Sequence, residues 1–188
     1  LRLSQQYFMV SASCQSIIRD HMAVYGRIDN LADKVAIHIN DTHPALCIPE
    51  LMRILMDVYS YSWDDAWAIV CKTVSYTNHT VLPEALETWD ENQFRLILPR
   101  VYMIICEINR RFCHFIYTNH AELAGSIDKM AIISGGFVSA QPGSIIEQSV
   151  IDGTVWAVPD LASARAMFYN VDMLKEVGVE PPKTWAEL

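Results

Sequence analysis

The chain has 188 residues, of which 52% are hydrophobic, and a formal net charge of −8. This length allows one domain, or one domain plus a fragment, with a sizeable core. The excess of acidic residues disfavours nucleic acid as a partner, because the phosphate backbone would be repelled. No apolar run is long enough to cross a bilayer, so we expect no membrane-spanning segment. The one notable basic cluster, Arg110-Arg111, is typical of a solvated helix face.

The five cysteines are Cys14, Cys47, Cys71, Cys106 and Cys113. Their number is odd and no two have CxxC spacing, which argues against a disulfide framework or a zinc site. Buried free thiols are typical of a reducing compartment, so the sequence predicts a cytoplasmic protein without a metal site.

The first elements are a helix, a strand and a second helix. Residues 1–25 have helical spacing of apolar side chains and end at Gly26. Lys34–Ile39 is short and β-branched, which predicts a buried strand. A polar turn follows at 40–44. Pro49-Glu50 then predicts a helix start, with Glu50 at the positive end of the helix dipole and an apolar stripe of Leu51, Ile54, Leu55 and Val58.

Three more helices are predicted in the middle of the chain. Ser62 and Asp65 match a capping box, and the helix that they begin leads into a polar turn at 76–80. Pro83-Glu84 predicts another helix start. Residues 100–117 form a long amphipathic helix, because Ile104, Ile108, Phe112 and Ile116 repeat every four residues.

The pattern changes after Ile133. Ser134–Gly136 and Gln141–Ser144 are rich in residues that break regular structure. Thr154–Val158 predicts a strand, Asp172–Val177 a short helix, and Thr184–Glu187 a further capping box. The sequence as a whole predicts an α/β fold that is mostly helical.

Candidate chemistry lies in the two polar turns. Asp41 and His43 occur in the first, and Asn78 and His79 occur in the second. Turns at the ends of regular elements in α/β folds are common ligand sites, and these side chains can donate to and accept from sugar hydroxyls. The alternative interpretation is structural: Asp41 or Thr42 caps the next helix, Asn78 satisfies loop backbone and His79 is a core residue. His43, His79 and Glu84 could also ligate a metal by residue type, although their spacing matches no known pattern.

Three longer runs carry a family resemblance. They are Leu1–Phe8, Asn40–Arg53 (NDTHPALCIPELMR) and Tyr76–Glu87 (YTNHTVLPEALE), and the match continues through Leu98-Pro99-Arg100 to Gly136. Residues 1–136 resemble glycogen, starch and maltodextrin phosphorylases. The resemblance implies part of the N-terminal domain of their Rossmann-like glycosyltransferase fold.

The same resemblance implies roles for six residues. His79 would lie at the catalytic site and bond the sugar 6-hydroxyl, and Asp41 and His43 would line the pocket near the anomeric side. Asn78, Thr80 and Glu84 would be neighbours of that site.

The resemblance also implies substrates and a cofactor. The substrates would be an α-1,4-glucan or maltodextrin and phosphate, converted to glucose 1-phosphate by an enzyme that is usually homodimeric. The cofactor would be pyridoxal phosphate, held by a lysine of a C-terminal domain that this chain does not include. We therefore expect no cofactor on this chain, and we do not expect the chain alone to complete the reaction.

The C-terminal residues resemble another class of protein. Residues 145–188 are similar to an extracellular sugar-binding protein of an ABC transporter, on the runs Asp152–Pro159, Ala164–Asn170 and Pro181–Leu188. That resemblance implies a short αβ fragment in which Arg165 or Tyr169 approaches a sugar. Residues 137–144 would be the junction. The alternative functions are therefore a sugar-binding module, or a chimera without a function of its own.

Overall fold

A computed structural model describes residues 1–77, 86–140, 150–151 and 154–155. The α-helices are α1 (Arg2–Tyr25), α2 (Leu31–Lys34), α3 (Cys47–Arg53), α4 (Trp63–Thr73), α5 (Glu91–Ile97), α6 (Pro99–Asn119) and α7 (Ile127–Met130). A π-helical turn, Ile54–Val58, continues α3, and a 3-10 helix, Ala121–Ser126, precedes α7. The fold is mostly helical with small sheets, as predicted.

The strands in the described ranges form three small sheets. They are β1 (Ile37–Asn40), β2 (Val74–Thr77), β3 (Thr88–Asp90), β4 (Ile133–Ser134), β5 (Phe137–Ser139), β6 (Val150–Ile151) and β7 (Thr154–Val155). Strands β1 and β2 are parallel, and their register runs from Ile37 opposite Val74 to Asn40 opposite Thr77. Strands β3, β5 and β4 form an antiparallel sheet in that order, and β6 pairs with β7 in antiparallel orientation.

The main core lies between α1, α3, α4 and α6. Its largest fully buried side chains include Leu51, Met52, Leu55, Val70, Phe94 and Ile104. All four residues of the predicted stripe on α6 are buried, and the helix extends only one or two residues beyond the predicted ends. The predicted ends at Gly26 and Ser62 are also confirmed: Gly26 has a left-handed backbone, and Ser62 Oγ accepts from the Asp65 amide at 3.2 Å.

The structure differs from the prediction around α3. The helix begins at Cys47, so Pro49 is its third residue. A proline is tolerated there because the first four N–H groups of a helix have no acceptor within it. Val58 is exposed instead of buried. The wider π-helical turn changes the angular phase of the side chains, which carries Val58 off the apolar stripe.

The sequence does not predict the second strand, β2. The sequence predicted that the helix from Ser62 would lead directly into the 76–80 turn, but α4 ends at Thr73 and Val74–Thr77 is β2. Its backbone hydrogen bonds go to β1, a partner more than thirty residues away. Strand β1 is also shifted from the predicted Lys34–Ile39, and only Ile39 in it is buried.

Residues 137–139 belong to the same fold as the residues that precede them. Phe137–Ser139 pairs with Thr88–Asp90, and Val138 is buried in the main core. Gly135 and Gly136 both have positive φ and form the two-residue turn between β4 and β5.

The predicted strand at Thr154–Val158 is present in its first two residues. Several predicted features lie outside the described residues: the helix from Pro83-Glu84, residues 156–158, the helix Asp172–Val177 and the capping box at Thr184.

A buried carboxylate joins α1 to α3. Glu50 has no exposed surface, and its oxygens accept from Tyr7 Oη at 2.8 Å and Ser11 Oγ at 2.7 Å on α1. Arg53 donates to it twice at 2.8 Å. Burial raises the pKa of the Glu50 carboxyl, but the hydrogen bonds from Arg53, Ser11 and Tyr7 together outweigh it and hold that pKa below its ordinary value.

We predict that Glu50→Gln lowers the free energy of unfolding by about 2–4 kcal/mol, because Arg53 then lacks its counter-charge in a partly buried position. Urea unfolding followed by circular dichroism measures this. The control is Glu107→Gln, which removes a surface carboxylate bonded to Arg110 and Arg111 and should cost at most about 1 kcal/mol. Equal effects of the two substitutions would contradict the prediction.

The Glu50 network also predicts a dependence on pH. Because the folded-state pKa is lowered, its stabilisation is complete above the ordinary carboxyl value of about 4.5 and is lost as the pH falls through the folded-state value. We therefore expect the difference in unfolding free energy between the unmodified chain and Glu50→Gln to shrink from neutral pH to about pH 3. A difference that stays constant over this range would show that Glu50 is not ionised in the folded chain.

Candidate functional site

Parallel pairing brings the first polar turn to the end of β2. Asn40 and Thr77 are the last paired residues of the two strands, and the Asp41 amide donates to the Thr77 carbonyl at 2.7 Å. His38 Nε2 and Thr77 Oγ1 add a contact of 2.6 Å across the same pair of strands. Both strands therefore present their carboxyl ends at one edge, where ligands bind in many α/β proteins.

Asp41 has an uncommon backbone. Its φ is 70°, in the left-handed region that side chains other than those of Gly, Asn and Asp rarely adopt. Its Oδ1 accepts from the Thr42 amide at 2.7 Å, and its Oδ2 lies 3.8 Å from His43 Nδ1. The backbone strain at Asp41 is thus offset by a local hydrogen bond.

The Asp41 and His43 side chains are accessible. Their exposed fractions are 27% and 60%. At 3.8 Å the two groups form a weak pair, so each keeps hydrogen-bonding capacity for a ligand. The sequence-predicted residues Asp41 and His43 are therefore next to each other at the strand edge. Asn78, His79, Thr80 and Glu84 lie outside the described residues.

The helix-capping interpretation of this turn is wrong. Helix α3 begins after Leu46, which makes no side-chain cap hydrogen bond, and the Asp41 carboxylate bonds the adjacent Thr42 amide instead. Thr42 is buried. In the described ranges no group of three or more His, Cys, Asp or Glu side chains could hold a metal. The metal alternative that used His79 and Glu84 lies outside those ranges.

The structure adds Tyr76, which the sequence did not single out. Tyr76 lies opposite Ile39 in the parallel pair and lines an apolar cavity of about 80 Å³ with Trp67, Trp89 and Ile108. Its hydroxyl is buried and has no partner among the residues that the structure describes. Burial and, secondarily, the charge of Asp41 raise the pKa of Tyr76 to about 12. The sequence did not single out Tyr76 because it did not predict strand β2. The Tyr76 side chain faces inward only because β2 pairs with β1.

Most of this chain matches one family of known proteins. The profile of the family described as "Phosphorylase: Carbohydrate phosphorylase" matches residues 1–154. The chain belongs to the carbohydrate phosphorylase family. The match continues past residue 136 and includes the strand Phe137–Ser139, so the resemblance extends further than the sequence motifs indicated.

Similar proteins come from bacteria, plants and animals. The chain is 46% identical to glycogen phosphorylase of Bacillus subtilis (strain 168) over 167 residues, covering 89% of this chain and 21% of that protein. It is 49% identical to alpha-glucan phosphorylase, H isozyme, of Triticum aestivum over 138 residues, covering 71% and 17%. It is 46% identical to glycogen phosphorylase, muscle form, of Oryctolagus cuniculus over 142 residues, covering 71% and 16%. The chain spans about a fifth of the length of these relatives.

Two further observations bear on partners. No helix within the described part of this phosphorylase-family chain is long and apolar enough to cross a membrane. The Arg110 side chain is exposed and the Arg111 side chain is partly exposed on α6, so the basic cluster lies on a solvated helix face as predicted. Glu107 pairs with both arginines and Asp64 with Arg111, which the sequence did not predict. The resemblance of residues 145–188 to a solute-binding protein stays a prediction, and Arg165 and Tyr169 lie outside the described residues.

We predict an order of stability at Asp41. Asp41→Asn should change the unfolding free energy by less than about 0.5 kcal/mol, because asparagine tolerates the left-handed region and keeps the Oδ1 acceptor. Asp41→Gly removes only the hydrogen bond from the Thr42 amide, so the free energy of unfolding should fall by about 1 kcal/mol. Asp41→Ala also acquires backbone strain and should lose about 2 kcal/mol in urea unfolding.

The control for the Asp41 series is Asp20, an exposed residue within α1. There alanine should be more stable than glycine by about 1 kcal/mol, since the backbone is helical. Alanine more stable than glycine at both positions would contradict the left-handed geometry of Asp41.

Proposed function

We propose that this chain is the part of an α-1,4-glucan phosphorylase that supplies one side of its sugar pocket. The parent enzyme would cleave glycogen or maltodextrin with phosphate to give glucose 1-phosphate. Its chain would be several times longer, and this segment would belong to the N-terminal domain of a Rossmann-like glycosyltransferase fold. Membership of the phosphorylase family and the names of the similar proteins support this proposal.

The observation that carries the proposal is the 2.7 Å hydrogen bond from the Asp41 amide to the Thr77 carbonyl. It connects two motif runs that are more than thirty residues apart in the sequence. Asn78 and His79 follow Thr77 directly in the chain, and the proposal is that residues of both runs contact one sugar. In this proposal His79 bonds the sugar 6-hydroxyl, while Asn78, Thr80 and Glu84 complete the surroundings.

Asp41 and His43 would provide polar contacts near the anomeric side. A carboxylate accepts hydrogen bonds only, whereas an imidazole can donate and accept, so the pair matches the mixed character of sugar hydroxyls. Asp41 Oδ1 is occupied by the Thr42 amide, but the contact between Asp41 Oδ2 and His43 Nδ1 is long, so both of these atoms keep hydrogen-bonding capacity. Charge-assisted bonds from hydroxyls to Asp41 would add the most affinity.

The described residues do not fit the pyridoxal phosphate of the parent family. An aldehyde cofactor needs a lysine inside a pocket, and the described lysines Lys34, Lys72 and Lys129 are all exposed. The cofactor would be held by a part of the parent enzyme outside this segment, so no step through it is derived for these residues. This chain alone would bind sugar without completing phosphorolysis.

Compartment and assembly follow from the same proposal. None of the five cysteines, all of which lie in the described ranges, forms a disulfide, which is consistent with a reducing cytoplasm. The parent enzyme would be a homodimer.

We predict that the unmodified chain binds maltoheptaose in isothermal titration and that His79→Ala abolishes this binding. Asp41→Asn should weaken it at least about tenfold, because a charge-assisted hydrogen bond becomes a neutral one. The control is His120→Ala at the C-terminal end of α6, which should leave the affinity unchanged. No binding by the unmodified chain, or equal losses in the control, would overturn the proposed site.

A further inference from the structure

Two buried thiols meet where α1 packs on α3. Cys14 lies in α1, and Cys47 is the first residue of α3. Their sulfur atoms are 3.6 Å apart, and the residues are 2% and 5% exposed. The other three cysteines lie on α4 and α6 and are half-buried. Nothing in the proposed sugar site uses the Cys14–Cys47 pair.

The surrounding contacts hold the two thiols opposite each other. Tyr7, Ser11 and Cys14 follow at spacings of four and three, so they share one face of α1. The first two bond to Glu50, which is one turn along α3 from Cys47. The Glu50 network thus fixes the helix pair in the register that brings the sulfur atoms into contact. A disulfide would require the two atoms to approach by about a further 1.5 Å to reach bonding distance.

We propose that Cys14 and Cys47 form a redox pair that hydrogen peroxide oxidises slowly to a disulfide joining α1 to α3. One sulfur, after losing its proton, attacks a peroxide oxygen; the O–O bond breaks, giving a sulfenic acid and, with that proton, one water from hydrogen peroxide. The second sulfur attacks the sulfenic sulfur, the S–O bond breaks, and the hydroxide leaves with the second thiol proton as water. Two thiols and one peroxide thus give one disulfide and two waters.

The environment makes this oxidation slow and selective. The hydrogen bond with Cys47, burial and the charge of Glu50 raise the pKa of the Cys14 thiol, so the reactive thiolate is scarce. Reaction therefore requires a small oxidant and local opening of the helix pair. Once the first sulfur is oxidised, its partner is already adjacent, and disulfide formation competes well with further oxidation.

The cross-link would also anchor the candidate turn. The Cys47 amide donates to the Pro44 carbonyl at 2.9 Å, so the end of the Asp41–Pro44 turn is tied to the residue that would be cross-linked. Joining Cys47 to Cys14 would fasten this end of the turn to the long helix α1.

The test is peptide mapping of the chain after treatment with hydrogen peroxide and alkylation of remaining thiols. Trypsin places each cysteine in a separate peptide, with Cys14 in 3–19 and Cys47 in 35–53. We expect these two peptides to be joined and to separate on reduction. Cys14→Ser and Cys47→Ala should each abolish the joined species, while Cys106→Ala should leave it unchanged. Peptides that stay separate while other thiols are oxidised, or random pairings of all five, would overturn the proposal.

A second measurement shows whether the cross-link fits the native fold. A disulfide that closes the loop between Cys14 and Cys47 should raise Tm by about 5–10 °C, and reductant should reverse the shift. The Cys47→Ala chain should show no shift. A cross-link that lowers Tm would mean that it forms between unfolded segments and would overturn the proposal. Neither measurement involves sugar, so the result is independent of the maltoheptaose titration.

Discussion

The parallel pairing of β1 with β2 is the constraint on which the candidate site depends. Two parallel strands cannot be joined by a tight turn, so the chain must cross back through α3, the π-helical turn and α4 before β2 begins. That crossover returns Thr77 to the side of Asn40 and places the Asp41 amide on the Thr77 carbonyl. The position of the accessible Asp41 and His43 side chains therefore depends on backbone hydrogen bonds made at long range.

The crossover is held to the rest of the fold by a polar contact as well as by the apolar core. Glu50 gives up hydration completely and regains four hydrogen bonds, two from α1 and two from Arg53. Such a buried network is stabilising only while every member is present and Glu50 is ionised, which makes the α1–α3 interface sensitive to single substitutions and to acid. The apolar contacts of α3 with the core do not share that sensitivity.

The same interface contains the Cys14–Cys47 pair, so one face of α1 carries two different polar links to α3. Ionisation controls the first link, and oxidation would control the second. Both links act close to the turn that precedes α3, since the Cys47 amide bonds the Pro44 carbonyl. The α1–α3 contact thus connects the stability of the helix pair with the backbone around Asp41 and His43.

The sequence by itself determined the features with a local cause. The four-residue repeat defined α6, Gly26 ended α1, Ser62 capped α4, and the motif runs identified the phosphorylase family. Tertiary structure alone decided the rest. Val74–Thr77 is a strand because β1 supplies its hydrogen-bond partners, and Glu50 is buried because Tyr7 and Ser11 face it from another helix. These partners are distant in sequence, so no local pattern could specify them. The roles of His79 and its neighbours stay predictions from the resemblance.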